Sequence, residues 1–372
     1  MNNAVSVRPE RARENSFDLL RILCCIAVVA IHLNVSVADV DASTRQGLLS
    51  AIPAYLFNCM TRFAVPCFLL LTGGFVLADK RNRDWKFFYQ KAVRNVFLPT
   101  VGFSIFYVLY RIVKLGVHII QGTETVSGIV TILSDLICGS PFYHMWYLYT
   151  LIGIYLLIPF LIRFCDTVGE KPFAVISFVF LFLASISEWT SRHVVFWDLG
   201  KAFCFCGYVM AGYVIKKRFD NSKSNRKGLL FLLSAVAVLA ATSMAVMISE
   251  TGLAGLPLGE YSYISVMSPF IVAASLLMFA AFSCFEIKTS FVFLSSLTFA
   301  VYLIHAAVVD LTKMALSRFF GIERLNILVS AAAVVFVFAV SSVFAWLYLK
   351  LRKKADGKLR IGDKVCRLLK LL

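Results

Sequence analysis

The sequence predicts an all-α protein, a polytopic transmembrane helical bundle of about ten spans with both termini in the cytoplasm. Of its 372 residues, 60% are hydrophobic and only 16% are charged, whereas soluble domains contain about 45–50% apolar and about 25% charged residues. The net charge is +16, which in a soluble protein would favour a nucleic-acid partner. In a membrane protein, basic residues collect on the cytoplasmic side for topological reasons, so we expect no nucleic-acid partner.

Ten apolar segments are distributed along the chain, most of them near the roughly 20 residues that a helix needs to cross a bilayer. They cover residues 17–37, 54–78, 96–114, 145–164, 172–187, 196–215, 229–248, 261–285, 291–312 and 326–349. We therefore expect a cytoplasmic N-terminal segment at 1–16, a transmembrane domain at 17–349 and a basic cytoplasmic tail at 350–372.

Lys and Arg residues concentrate in four places that a ten-span topology puts on one side of the membrane. These are the N-terminal segment, the loop after the second span, the loop after the sixth span and the tail. The loops on the opposite side contain fewer basic residues. Because cytoplasmic loops carry the excess of Lys and Arg, this distribution predicts that both termini are cytoplasmic.

The first span carries three polar side chains on one helical face, namely Asp18, Arg21 and His32. His32 follows Arg21 by eleven positions, which brings it to within about 20° of the same face. A charged residue at the centre of a membrane helix costs roughly 2.5–3.5 kcal/mol on insertion scales, so such residues are candidates for function. The alternatives are an interfacial Asp18–Arg21 ion pair and, for His32, a structural histidine.

The second span carries Arg62, about two turns from its outer end. His32 lies at a similar depth in the first span, so we expect the two side chains to meet in one cavity. Gly73 and Gly74, further along the second span, are residues that allow helices to approach closely.

An amphipathic cytoplasmic segment follows the second span and includes Lys91 and Arg94. Side chains three residues apart share a helix face. This face is explained either by attraction to anionic lipid or by docking of an anionic cofactor, and composition does not separate the two.

Four further residues occur in two aromatic segments near the fourth and ninth spans. His144 and Trp146 precede or begin the fourth span on the outer side, where an interfacial aromatic belt is the alternative explanation. Tyr302 and His305 lie within the ninth span, where hydrogen bonding between helices is the alternative.

Together and in this order, these segments resemble the membrane-bound acyltransferase 3 family, whose members O-acylate cell-surface polysaccharides and related acceptors. The resemblance rests on residues 17–21 with His32, and on residues 62–75, 87–99, 140–146 and 302–305. Lys91 replaces the first Arg of an Arg-x-x-Arg segment and lacks the bidentate fork of an arginine. The length and layout are most similar to the compact O-acetyltransferases of enterobacterial common antigen.

The resemblance implies transfer of an acyl group, usually acetyl, from cytoplasmic acetyl-CoA to a hydroxyl group of a glycan or lipid-linked saccharide. It implies no metal, and a location in the bacterial inner membrane among membrane lipids. His32 would be the catalytic base, and Arg62 would stabilise the oxyanion or orient the acceptor. Residues expected to bind the phosphates of CoA are Arg21, Lys91 and Arg94. Those expected to support the site are Asp18, His144, Trp146, Tyr302 and His305.

Two alternatives remain open from the residues alone. The same helices could form an exporter of surface glycans, with Arg62 and the histidines along its pathway. Against this, the sequence has no evident inverted repeats, which many transporters contain. Within acyl transfer, succinyl rather than acetyl is the nearest alternative. The oligomeric state is not predicted.

Overall fold

The structure is a computed structural model that describes residues 14–33, 45–190, 194–220, 222–250, 263–322 and 326–369. Within these ranges every regular element is helical and no strand occurs. Eight helical segments of the described part are long and apolar enough to cross a membrane. The predicted all-α polytopic bundle is therefore confirmed. The count of ten spans and the side of the termini stay predictions.

The helices of the described ranges are labelled α1 to α13 in chain order. They are α1 Asn15–His32, α2 Arg45–Met60, α3 Ala64–Thr72, α4 Trp85–Ala92, α5 Leu98–Ile120, α6 Gly128–Ile137, α7 Trp146–Val168, α8 Glu170–Thr190, α9 Val194–Phe219, α10 Asn225–Glu250, α11 Pro269–Cys284, α12 Val292–Phe320 and α13 Ile327–Leu369. A π-helical turn at Gly73–Leu77 extends α3, and another at Val93–Phe97 joins α4 to α5. A short 3₁₀ turn occupies Lys80–Arg83.

The predicted sixth and eighth spans coincide with α9 and α11, which are not among the eight segments that meet the length and composition of a span. Helix α11 has only 16 residues, fewer than the roughly 20 that cross a bilayer. Helix α9 has 26 residues and packs against α3, α8 and α11. Both helices belong to the bundle, and α9 lies among its other helices.

Helices α3 and α9 approach each other at two glycines. A Cβ atom on Gly73 would lie 1.7 Å from the carbonyl oxygen of Val209, and one on Gly212 would lie 2.0 Å from that of Leu70. No side chain fits at either position, so the backbones touch directly. The expectation that the glycines of the second span permit close helix approach is confirmed at Gly73.

Helix α1 is the helix around which the candidate site is arranged. It packs against α3, α11, α12 and α13, and it buries Phe17, Leu20, Cys24 and Val28 among them. Because α1 and α12 are in direct contact, polar residues on their facing sides lie close to each other.

The last helix does not end where the predicted cytoplasmic tail begins. Helix α13 has 43 residues, about 65 Å at 1.5 Å per residue, against a hydrocarbon thickness of about 30 Å. The boundary at 349/350 is therefore a change in composition, and the helix continues through it. The first basic residues of the tail, including Arg352 and Lys353, are helical.

Candidate functional site

Three histidines from distant parts of the sequence lie together. His32 is the last residue of α1, His144 precedes α7, and His305 lies in α12. The ring centroids of His32 and His305 are 5.4 Å apart, and those of His144 and His305 are 5.0 Å apart. His144 and His305 are buried, whereas His32 is partly exposed. We call these residues the histidine cluster.

Three tyrosines hold the segment before α7 and helix α5 against α12. The hydroxyl of Tyr302 donates to the carbonyl of His144 at 2.7 Å, and that of Tyr107 donates to Leu303 at 2.8 Å. The Tyr143 hydroxyl donates to the carbonyl of Ala306 at 3.2 Å, and its ring lies 4.7 Å from that of His32. These bonds fix the relative positions of the elements that carry His144 and His305.

Hydrogen bonding determines the tautomer of His305. Its Nδ1 lies 2.7 Å from the carbonyl oxygen of Tyr302. A carbonyl oxygen only accepts, so Nδ1 must carry the proton, and in the neutral ring Nε2 is then a bare acceptor. This buried Nε2 has no hydrogen-bond partner among the described residues.

The two ring nitrogens of His144 are likewise buried and make no hydrogen bond within the described part of the chain. The carbonyl of Leu303, which accepts from Tyr107, lies near the ring but outside hydrogen-bond geometry. Because buried polar atoms are normally satisfied, the nitrogens of His144 and His305 can bind a polar group of a substrate.

Arg62 lies in the turn that joins α2 to α3, where its backbone amide donates to the carbonyl of Cys59 at 3.1 Å. The charges of Arg62 and Lys313 act on His32, so both side chains lie in its electrostatic surroundings. Lys313 was not expected at the site, because the predicted ninth span ends at 312. In the structure α12 continues to Phe320 and carries Lys313 within the helix.

Asp18 and Arg21 form an ion pair near the other end of α1, with Arg21 Nη1 2.8 Å from Asp18 Oδ1. Asp18 is fully buried and also accepts from the Ser295 hydroxyl of α12 at 2.7 Å. The guanidinium of Arg21 lies 4.6 Å from the centroid of the Phe75 ring. The carboxylate is thus held inside the bundle, where it positions Arg21.

A cavity of about 220 Å³ lies between α1, α3, α7 and α12. Arg21 lines it together with apolar and aromatic side chains, and Tyr302 lines it as well. The ring of Tyr302 lies 5.4 Å from that of His305. Tyr302 thus lies between this cavity, which we call the Arg21 cavity, and the histidine cluster.

Lys91 and Arg94 line a different cavity, of about 450 Å³, which they share with Arg352 and Lys353 of α13. We call it the basic cavity, and it has no lining residue in common with the Arg21 cavity. Lys91 Nζ lies 3.9 Å from a carboxylate oxygen of Asp79. A hydrogen bond from Arg81 lowers the pKa of that carboxyl, so Asp79 stays ionised and offsets part of the Lys91 charge.

Of the residues predicted for the site, Trp146 makes no ring contact with the histidine cluster within the described part of the chain. Its ring neighbours are Tyr147, at 6.2 Å, and Phe205, at 6.4 Å. Tyr143 was not predicted as a site residue, although it adjoins His144 in the sequence. Its position next to His144 is the feature of the sequence that could have indicated a role at the site. Among the described His, Cys, Asp and Glu side chains, no group of three is arranged to hold a metal ion.

Comparison with known proteins gives one match over nearly the whole chain. A family described as "Acyltransferase domain" matches residues 14–346. An amino-acid racemase from Enterococcus faecalis is 26% identical over 136 residues, which are 36% of this chain and 18% of the racemase. The chain thus matches less than a fifth of the length of that relative. No solved structure matches significantly.

Proposed function

Because this chain belongs to the acyltransferase 3 family, we propose that it transfers an acetyl group from cytoplasmic acetyl-CoA to a hydroxyl group of a surface glycan or lipid-linked saccharide. Family membership establishes acyl transfer as the class of reaction, and the apolar helices make the protein a membrane protein. The donor, the acceptor and a location in the bacterial inner membrane are parts of the proposal.

The observation that carries the proposal is the histidine cluster, beside which Tyr302 lines the cavity that Arg21 also lines. Acyl transfer to an alcohol needs a base that takes the hydroxyl proton as the oxygen attacks the thioester carbonyl carbon. The carbon–sulfur bond then breaks, and the thiolate of CoA takes up the proton. An imidazole is suited to both steps because its ordinary pKa is close to neutral.

His32 is the member of the cluster best placed to be the base. It is partly exposed, whereas His144 and His305 are buried, so an acceptor hydroxyl reaches it most easily. To take the proton, His32 needs a bare ring nitrogen that faces the acceptor hydroxyl, so its other ring nitrogen carries a hydrogen that must be accepted by a neighbour. The bare Nε2 of His305, whose ring centroid is 5.4 Å away, is suited to that task.

Arg62 supplies positive charge on the side of His32. The attacked carbonyl oxygen becomes an oxyanion, and a fixed positive charge stabilises it. Lys313 acts on His32 from α12 in the same way. In this proposal Arg62 stabilises the oxyanion, and Lys313 adds to the positive field that favours it.

The donor enters on the side of Arg21. The thioester arm of CoA is uncharged and suits the apolar walls of the Arg21 cavity, and Arg21 meets a phosphate at its mouth. Lys91 and Arg94 contribute further positive charge from the basic cavity. A succinyl group would bring a carboxylate into the mainly apolar Arg21 cavity at a desolvation cost, which favours acetyl as the transferred group.

The test is mass spectrometry of surface glycans from cells that express the native protein, the His32→Ala variant or no protein. Expression and membrane insertion of the variant are verified first. We expect an acetyl mass increment with the native protein only. Acetylation retained by His32→Ala would remove His32 from the mechanism. Unmodified glycan present at the surface in altered amounts would favour the exporter alternative instead.

A further inference from the structure

An apolar groove of about 770 Å³ lies between α5, α12 and α13. Its walls are apolar and aromatic and include Gly102, Phe103, Ile304, Ala307 and Tyr348. Phe106, Phe344 and Leu347 are exposed, so the groove opens on the outside of the bundle, where lipid surrounds a membrane protein. It is lined neither by the histidine cluster nor by Arg21, and of the residues expected to bind CoA it includes Arg94.

One end of this groove is strongly basic. Arg94 and Arg352 line both the groove and the basic cavity, to which Lys91 and Lys353 also belong. Arg352 Nη2 donates to the backbone carbonyl of Arg94 at 2.8 Å and to Asn95 Oδ1 at 3.3 Å. These bonds hold the Arg352 side chain against the π-helical turn Val93–Phe97.

We propose that the groove binds an anionic phospholipid, with its phosphate at Arg94 and Arg352 and an acyl chain along the apolar walls. The apolar walls and the cationic end of the groove match the acyl chain and the headgroup of such a lipid. An apolar chain suits the groove, and a net negative headgroup suits four cations at its end. A zwitterionic lipid carries an ammonium group that would face the same cations. The proposal does not depend on which acyl group or acceptor the enzyme uses.

The groove also adjoins the site through α12. Ile304 and Ala307 line it, and His305 lies between them in the sequence. A bound acyl chain would therefore pack against the helical turn that carries His305. In this proposal, a lipid in the groove contacts the turn of α12 that positions His305.

The chain-binding half of the groove is tested with Gly102→Trp. A Cβ atom on Gly102 has no heavy atom within 4 Å, so a larger side chain fits on the helix and fills the groove instead of clashing with protein. Gly116→Trp is the matched control, because Gly116 lies on the same helix with equally open surroundings and does not line the groove.

Each protein is purified in neutral detergent without acyl-CoA and given dioleoylphosphatidylglycerol or dioleoylphosphatidylcholine. Native mass spectrometry then counts the lipids that stay bound. We expect the native protein and Gly116→Trp to retain the anionic lipid selectively, and Gly102→Trp to lose it at an unchanged melting temperature without lipid. Equal retention of both lipids, or anionic lipid retained by Gly102→Trp, would overturn the proposal.

The headgroup end is tested with Arg352→Gln against Lys354→Gln, which removes an equal charge from an exposed residue outside both cavities. We expect Arg352→Gln to weaken binding of phosphatidylglycerol about fivefold, and Lys354→Gln to leave it unchanged. Equal effects of the two variants would show that the lipid responds to the overall positive charge of the surface and not to a binding site at Arg352. Displacement of the lipid by free CoA would assign that end to the donor instead.

Discussion

Arg21 forms an ion pair with the buried carboxylate of Asp18. In the proposed reaction it also binds the acyl donor that enters the Arg21 cavity. The Asp18–Arg21 ion pair considered from the sequence is present, and Asp18 is fully buried and also accepts from Ser295. Arg21 itself is 26% exposed and lines the Arg21 cavity. A structural and a binding role are therefore both compatible with its position, and a pair of variants separates them.

We expect Arg21→Gln to lower the apparent melting temperature, because the buried Asp18 carboxylate loses the ion pair with Arg21. We also expect it to raise the KM for acetyl-CoA roughly fivefold, since one partly exposed charged contact to phosphate is removed. The double variant Asp18→Asn/Arg21→Gln removes both charges of the ion pair while the Asn oxygen still accepts from Ser295. Its melting temperature should recover, whereas its KM should stay high. Recovery of both would make Arg21 purely structural.

In the histidine cluster, one hydrogen bond to the backbone determines which ring nitrogen of His305 carries the proton. Tyr302 accepts from Nδ1 of His305 and leaves Nε2 as the free acceptor. Tyr302 also donates its hydroxyl to the carbonyl of His144. One residue therefore sets both the tautomer of His305 and the position of the segment that carries His144.

At the scale of helices, the contact between α3 and α9 leaves no room for an added side chain at Gly73 or Gly212. The π-helical turn at Gly73–Leu77 and helix α9 touch through backbone atoms. Helix α3 also packs against α1, and both α3 and α9 pack against α11, so a change in their spacing would be transmitted to the Arg21 cavity, which Thr72 and Phe75 line.

We expect Gly73→Ala to destabilise the protein by about 1–3 kcal/mol, a typical cost of forcing extra atoms into a packed interior. The added Cβ would lie 1.7 Å from a backbone oxygen, which cannot rotate away as a side chain can. Thermal unfolding in detergent measures the effect. Gly153→Ala on α7, where a Cβ has no neighbour within 4 Å, should be neutral or slightly stabilising. Equal melting temperatures for the two variants would contradict the contact.

Two further differences from the sequence-based prediction also arise at this scale. The second predicted span is built from two helices, α2 and α3, with Arg62 in the turn between them. The ninth extends beyond its predicted end and so carries Lys313 toward the site. Apolar periodicity does not reveal these details, because a turn or an added helical turn inside a bundle is stabilised by neighbouring helices.

For the whole molecule, the proposed reaction places the acyl donor and the acceptor on opposite sides of the membrane. The donor side holds Arg21 and the basic cavity, and the acceptor side holds His32 at the far end of α1. The ten-span topology places the segment between α6 and α7 outside. Cys138 in that segment is exposed, whereas the other described cysteines are buried or intermediate.

A membrane-impermeant maleimide should therefore label Cys138 in right-side-out membrane vesicles without permeabilisation. Labelling should disappear in Cys138→Ser, since a thiol must be reachable by solvent to react. Gel or mass analysis of the labelled chain gives the result. Labelling that requires permeabilisation would place this segment inside the cell and reverse the topology. Labelling that persists in Cys138→Ser would show that another cysteine reacts.

The sequence by itself determined the class of this protein. Runs of apolar residues, the distribution of Lys and Arg and the ordered motifs from residue 17 to residue 305 are properties of short segments, and each could be recognised without knowledge of its neighbours. These properties predicted an all-α membrane bundle, since a helix satisfies its own backbone within the bilayer. They also predicted the family to which the chain belongs.

Only the tertiary structure decided which of the predicted residues meet. It places His144 and His305 beside His32 and assigns Arg21 and Lys91 to different cavities. It also forms the apolar groove from three helices. The physical reason is that these contacts join segments more than a hundred residues apart, and their positions depend on how α1, α5, α12 and α13 pack rather than on the local sequence of any one helix.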